Sequence, residues 1–288
     1  MEHPFQAEKY SLEHPLVDGH SHIDQYGEEE QGPLLQRAQL ASVGMIISAG
    51  TTIASCRGVL LLADSFPIVR AGIGLHPADL PGWTSDETLA ELRQMAKHPK
   101  VVEWSETGLD YMPGSPSWDI QHDALRKQVR LAREFGLPLV IHSREAEEDT
   151  LRILREEGAS EVGGAWHYFQ QTRDLAERAM EMGLFISLAK PLLRLEHLQK
   201  VAAGLPLERI VIETDSYPQP FKKHRARWTE PWQLPQVAEK LAELRGVDVE
   251  RIAEATTANY LRMLGGRVRP EEILPPLAWP THGLPNAL

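Results

Sequence analysis

Eight short apolar runs, separated by longer amphipathic segments, constrain the fold of this chain more than any other feature. They cover residues 16–20, 43–49, 68–75, 101–106, 137–142, 163–167, 184–188 and 209–214. Runs this short and this apolar read as strands buried on both faces, and their alternation with helical segments is the pattern of βαβ units in a parallel sheet. The clearest helix spans 118–135, where Leu125, Val129 and Ala132 recur at helical spacing and Gly136-Leu137-Pro138 ends the pattern. Segments 84–97, 145–157, 172–182 and 195–203 are read as similar helices. After the eighth run come 234–244 and 249–264, expected to be the last barrel helix and a packed extra one. Eight strand–helix units close into a (β/α)8 TIM barrel of the α/β class, which needs about 250 residues. An open doubly wound sheet is the alternative, but no G-x-G-x-x-G follows the first strand and no P-loop occurs.

The 288 residues therefore divide into one barrel domain, 1–266, and a tail, 267–288, that carries Pro270, Pro275, Pro276, Pro280 and Pro285. The tail is expected to run irregularly over the surface, partly mobile. Cys56 is the single cysteine, which excludes an internal disulfide or a cysteine-based metal cluster and reads as a small core residue. No apolar stretch long enough for a membrane span occurs, and the first twenty residues hold Glu2, His3, Glu8 and Glu13 in place of an apolar leader core. A cytoplasmic enzyme without membrane contact is the expectation. The formal net charge of −11 argues against broad wrapping of duplex DNA, while leaving room for a local basic pocket.

Polar residues of one kind interrupt the ends of these runs. The first gives Asp18-Gly19-His20-Ser21-His22, in which His20 and His22, two apart in an extended segment, can present two imidazoles to one point. The fourth ends in Glu106, the fifth in His142, the sixth in His167, and the eighth leads into Glu213-Thr214-Asp215. In a barrel these ends ring one mouth, where active sites of this fold lie. Imidazole and carboxylate are the donors that Zn²⁺, Mn²⁺, Co²⁺ or Mg²⁺ accept, and six ligands exceed the four of a closed structural site. Two ions are expected: His20, His22 and Asp215 on one, His142 and His167 on the other, Glu106 bridging. Such a pair would bring a water to ionise near neutrality, with Asp215 taking its proton.

Taken together, Asp18-x-His20-x-His22-Ile23-Asp24, Gly74-Leu75-His76-Pro77, Glu106-Thr107-Gly108-Leu109-Asp110-Tyr111, Ile141-His142-Ser143-Arg144 and Glu213-Thr214-Asp215 resemble the TatD family of metal-dependent hydrolases, over roughly residues 17–264. The resemblance implies a TIM barrel with a two-metal site and hydrolase activity, commonly deoxyribonuclease activity. It implies ligands at His20, His22, Glu106, His142, His167 and Asp215. The chain departs from the family in three loops: Tyr168-Phe169-Gln170-Gln171 replaces Cys-Phe-Ser/Thr-Gly, Ser216-Tyr217-Pro218 inverts the usual Pro-aromatic order, and Trp228-Thr229-Glu230-Pro231 replaces Arg-Asn-Glu-Pro. These departures bear on the substrate.

Arg144 and His76 are read as substrate contacts at the mouth. Lys222 and Arg225, in the cluster Lys222-Lys223-His224-Arg225-Ala226-Arg227 between Phe221 and Trp228, are read as contacts to a single strand through phosphate pairing and base stacking. The expected activity is hydrolysis of a phosphodiester, exonuclease-like, on single-stranded DNA or a DNA end. The alternatives are a metal-dependent ester or amide hydrolase, such as an aminoacyl-tRNA deacylase or a hydrolase of a small cyclic amide or lactone, and a non-catalytic binding protein on the same barrel.

Overall fold

The computed structural model describes residues 10–277. Eight parallel strands follow in sequence order, each hydrogen-bonded to the next: β1 (Leu16–Ser21), β2 (Val43–Ala49), β3 (Val69–Ile73), β4 (Val101–Asp110), β5 (Leu139–Arg144), β6 (Gly164–Trp166), β7 (Leu184–Leu188) and β8 (Ile210–Ile212). Between and after them lie α1 (Glu28–Leu40), α2 (Ile53–Ser65), α3 (Asp86–Met95), α4 (Trp118–Phe135), α5 (Glu147–Glu156), α6 (Arg173–Glu181), α7 (Glu196–Gly204), α8 (Leu234–Arg245) and α9 (Val249–Met263). This is the expected TIM barrel with an extra C-terminal helix. The α4 bounds match the sequence pattern, and Gly136 ends the helix in the left-handed conformation, φ 61°.

The seam between β8 and β1 is closed by unusual means. Asp215 N donates to His20 O at 2.9 Å and His22 N donates to Ser216 O at 2.7 Å. Below them the fully buried Asp18 carboxylate accepts from Thr214 N at 2.8 Å and from Thr214 Oγ1 at 2.5 Å. A side chain thus completes the sheet where main-chain pairing is thin.

Inside the barrel, Val17, Met45, Ile47, Val102, Ala165, Phe185 and Val211 pack with Tyr260 and Met263 of α9 and with Leu264, Val268 and Ile273. Leu274 N donates to Gly44 O at 2.9 Å, at the start of β2. The extra helix and the first part of the tail therefore plug the end of the barrel opposite the mouth. Through residue 277 the tail is irregular and mostly exposed, as expected, but the buried Val268 and Ile273 and the pairing of Arg70 with Glu272 at 2.9 Å anchor it. Pro280 and Pro285 lie outside the described residues. Two helices escape the sequence pattern for opposite reasons. In α1, Gly32-Pro33 breaks helical propensity. In α2, Ile53, Val59, Leu60, Leu61 and Leu62 leave too little polar contrast to show a period.

Candidate metal centre

Strand geometry brings the polar residues to one mouth. β1 ends at Ser21, between the two histidines, and the bulge between Asp18 and Ser21 aims both His20 and His22 inward. β4 runs on to Asp110, past the expected end at Glu106, because Thr107–Asp110 continue to pair with Ile141–Arg144 of β5. Glu106 therefore stands within a strand. β6 and β8 stop earlier than expected, so His167 and Asp215 lie in the loops that follow, and Asp215 takes a left-handed conformation with φ 52°.

Glu106 is the centre of the cluster. Its Oε2 lies 3.4 Å from His20 Nε2 and 3.6 Å from His22 Nε2. Its Oε1 lies 2.8 Å from His142 Nδ1, 3.6 Å from His167 Nε2 and 3.6 Å from His76 Nε2. One carboxylate thus turns each oxygen toward a separate set of imidazoles. Asp215 Oδ1 stands 3.6 Å from His22 Nε2. Among the described residues, three overlapping sets have ligand atoms within 4.8 Å of one another: His20, His22 and Glu106; His20, His167 and Asp215; and His76, Glu106 and His142. His76, read from sequence as a substrate contact, stands inside the donor cluster.

The outer contacts fix the rings. His22 Nδ1 donates to Ala49 O at 2.9 Å, which leaves Nε2 facing the centre. His20 Nδ1 lies 3.3 Å from Ser105 Oγ. His142 Nε2 lies 3.2 Å from Asp110 Oδ2, and Glu213 Oε1 lies 2.7 Å from His167 Nδ1. Carboxylates behind ligating histidines orient them and raise their basicity. Asp110 and Glu213 are the functional residues the sequence reading left without a role, although both sit in the motifs quoted above. Their signal is spacing: Glu213 precedes Asp215 by two residues, and Asp110 ends the strand that carries Glu106.

Charge is strongly correlated across the site. Burial would raise the Glu106 carboxyl, but the surrounding imidazoles, His76 and His142 foremost, hold it well below the usual carboxylate range. Burial would lower His22 and His167, yet Asp215 and Glu106 lift His22 to about 9, while Glu213 and Glu106 lift His167 to about 10. Burial prevails at His76, pushed down to about 4. Carboxylates that draw protons onto imidazoles offer the same field to a divalent cation, whose binding would displace those protons. The buried His20 Nε2 has no hydrogen-bond partner. Donor chemistry and this open nitrogen fit a metal centre.

Above the centre lies a cavity of about 750 Å³, lined by Arg144, Tyr168, Gln170, Gln171 and Tyr217 together with most of the cluster. Arg144 is exposed at this rim, and its guanidinium enters no ion pair among the described residues. Lys222 and Arg225 are not among the residues lining the cavity. Arg225 pairs with Glu230 at 2.6 Å and Glu30 at 3.3 Å and lies 4.3 Å over the Trp228 ring. Lys222 Nζ donates to Gln219 Oε1 at 2.5 Å and to Arg227 O at 3.2 Å. Arg225 thus ties the loop to α1, while Lys222 bonds within the loop itself.

Gly108 sets the distance between β4 and β5. Its φ of 153° is disfavoured for L residues, and a Cβ there would collide with the main-chain carbonyl of His142. Gly108→Ala is expected to destabilise the fold by about 2 kcal/mol or more and to weaken metal loading by moving His142. Chemical unfolding reads the first effect and metal analysis the second; an unchanged midpoint would show that β5 yields freely.

An α/β barrel that gathers imidazoles and carboxylates at its C-terminal mouth defines a class, the metal-dependent hydrolases. The family model described as TatD related DNase matches residues 17–265, and the chain belongs to the TatD family. It is 34% identical over 255 residues to the uncharacterised metal-dependent hydrolase YabD of Bacillus subtilis, covering 86% of this chain and 98% of that one. The uncharacterised metal-dependent hydrolase TatD of Mycobacterium tuberculosis is 32% identical over 260 residues, covering 87% and 98%. The crystal structure of YjjV, a TatD homologue from Escherichia coli, superposes with a TM-score of 0.78 at 30% identity, covering 86% of this chain and 97% of that one. No helix among the described residues is long and apolar enough to cross a membrane.

Proposed function

We propose that this protein is a cytoplasmic two-metal phosphodiesterase that removes nucleotides from the end of a single DNA strand. The observation that carries the reading is the division of the Glu106 oxygens between two sets of imidazoles, which would let one carboxylate serve two ions. His20, His22 and Asp215 would hold one ion, His142 and His167 the other, with Glu106 shared and zinc, manganese, cobalt or magnesium as candidates. When bound, such ions supply Lewis acidity toward a phosphoryl oxygen and lower the pKa of water.

The chain's own residues do the rest. Asp215 reaches the cavity from a constrained backbone, with a partly exposed carboxylate that can accept the proton of an attacking water. Asp110 and Glu213 hold His142 and His167 in place. Arg144, uncommitted at the rim, suits a phosphate that needs paired donors.

The test is a panel of single-stranded DNA, duplex DNA, RNA, small phosphodiesters, aminoacyl-tRNA and lactones, offered to purified protein with defined metals. The expected result is release of mononucleotides from single-stranded DNA. Arg144→Ala should raise KM for DNA about tenfold or more with a smaller change in kcat, the mark of lost ground-state binding. Turnover confined to carbonyl esters or lactones, with Arg144→Ala neutral, would overturn the reading.

A further inference from the structure

Two of the loops that depart from the family pattern each place a tyrosine beside the metal centre. Tyr168 follows His167 directly, Tyr217 lies two residues after Asp215, and both line the cavity, each only partly buried. Tyr168 is held rigidly. Its backbone is left-handed, φ 47°, its N donates to Glu213 Oε1 at 2.7 Å, and Phe169 behind it is buried, with its N donating to Ser187 O at 3.0 Å. Glu213 is the same carboxylate that stands behind His167, so ring and ligand share one support. The Tyr168 ring centroid lies 5.7 Å from that of His167. Tyr217 is tied through Ser216, whose carbonyl accepts from His22 N at 2.7 Å. Neither phenol hydroxyl has a hydrogen-bond partner among the described residues.

What these rings can hold follows from the rest of the site. With a net charge of −11 and with Lys222 and Arg225 engaged by Gln219, Glu30 and Glu230, affinity for a strand does not rest on a broad basic surface. The cavity, about 750 Å³, is far larger than two ions require and falls within the ~300–1,000 Å³ typical of sites for organic ligands. Gln170 and Gln171 line the cavity next to Tyr168, while Arg144, which enters no ion pair among the described residues, comes from the end of β5. Phosphate and flat ring thus have separate places to go.

We infer that Tyr168 and Tyr217 form a stacking subsite beside the metal centre that seats the nucleobase of the nucleotide being cleaved, whichever base it is. The inference rests on the phosphodiesterase reading and extends it: affinity comes from one stacked base at the strand end, and sequence preference is weak because every base has a π-face. Rings held in advance lose little freedom on binding.

The test pairs the protein change with a substrate change. Wild type, Tyr168→Ala, Tyr217→Ala and Tyr168→Phe are assayed on a single-stranded oligonucleotide with a natural terminal nucleotide and on one whose terminal nucleotide is abasic. Wild type should lose about ten- to hundredfold in kcat/KM on the abasic end. Each alanine variant should lose a similar factor on the natural end and little more on the abasic one, whereas Tyr168→Phe, which keeps the ring, should stay near wild type. Fluorescence anisotropy of the same labelled strands in EDTA should show the same order of affinities. Equal cleavage of both ends by wild type would overturn the inference alone. Equal losses by the alanine variants on both ends would also overturn it, as the mark of a structural role. Failure of wild type to cleave any DNA strand would overturn the phosphodiesterase reading and the subsite with it.

Discussion

Replacing Glu106 with glutamine is expected to leave a folded barrel that binds fewer metal ions per chain and loses more than about a hundredfold in hydrolytic rate. Glutamine keeps the volume and one carbonyl oxygen but removes the charge at the point where five imidazole nitrogens converge within 3.6 Å. Groups behind metal ligands cost 10–100-fold when removed, and a shared ligand should cost more. On the two-metal proposal the lost charge would also weaken binding of a second ion, because a shared carboxylate would offset the repulsion between two cations. The fold should survive, since Asp215 still faces His22 and Glu213 still faces His167. Metal analysis together with circular dichroism separates loading from folding. A glutamine variant with wild-type metal content and rate would remove Glu106 from the centre of the site.

The donor residues were legible because each breaks an apolar run at a strand end, where a buried charge has no structural excuse. His20, His22, Glu106, His142, His167 and Asp215 all reach one mouth through that pattern. His76 was harder to place, since it follows the third strand at the same height and nothing local tells a ligand from a substrate contact. Asp110 and Glu213 were visible as motif residues, but their task depends on which ring nitrogen they face, and that is set by the pairing of β4 with β5 and by the barrel's curvature, which turns Glu213 after β8 toward His167 after β6. The cluster 222–227 shows the same limit. Its cations look free in sequence, whereas the partners of Arg225 include Glu30, 195 residues away on α1. The anchoring of the tail was not legible because Val268 and Ile273 carry no periodicity, and only the closed barrel shows that its floor needs a plug.

The buried seam leads to the other large effect expected, at Asp18. Its carboxylate accepts both the main-chain N–H and the hydroxyl of Thr214 at the line where β8 meets β1. Asp18→Ala would strand two buried donors, each costing roughly 1–3 kcal/mol, and would leave a void in the wall. A loss of about 3 kcal/mol or more is expected, lowering Tm by roughly 6–12 °C for a domain near 250 residues. Asp18→Asn should be far milder. The amide oxygen can still accept from Thr214 N, and the amide N–H can donate to the Thr214 hydroxyl, which accepts as readily as it donates. The effect should also reach the metal centre, because the next bonds along the seam join His20 O to Asp215 N and His22 N to Ser216 O. Asp18→Ala should therefore lose metal affinity even at temperatures where it remains folded. Thermal unfolding of both variants with metal titration of each checks this. Alanine and asparagine variants of equal stability would show that the hydrogen bonds of Asp18 do not hold the seam.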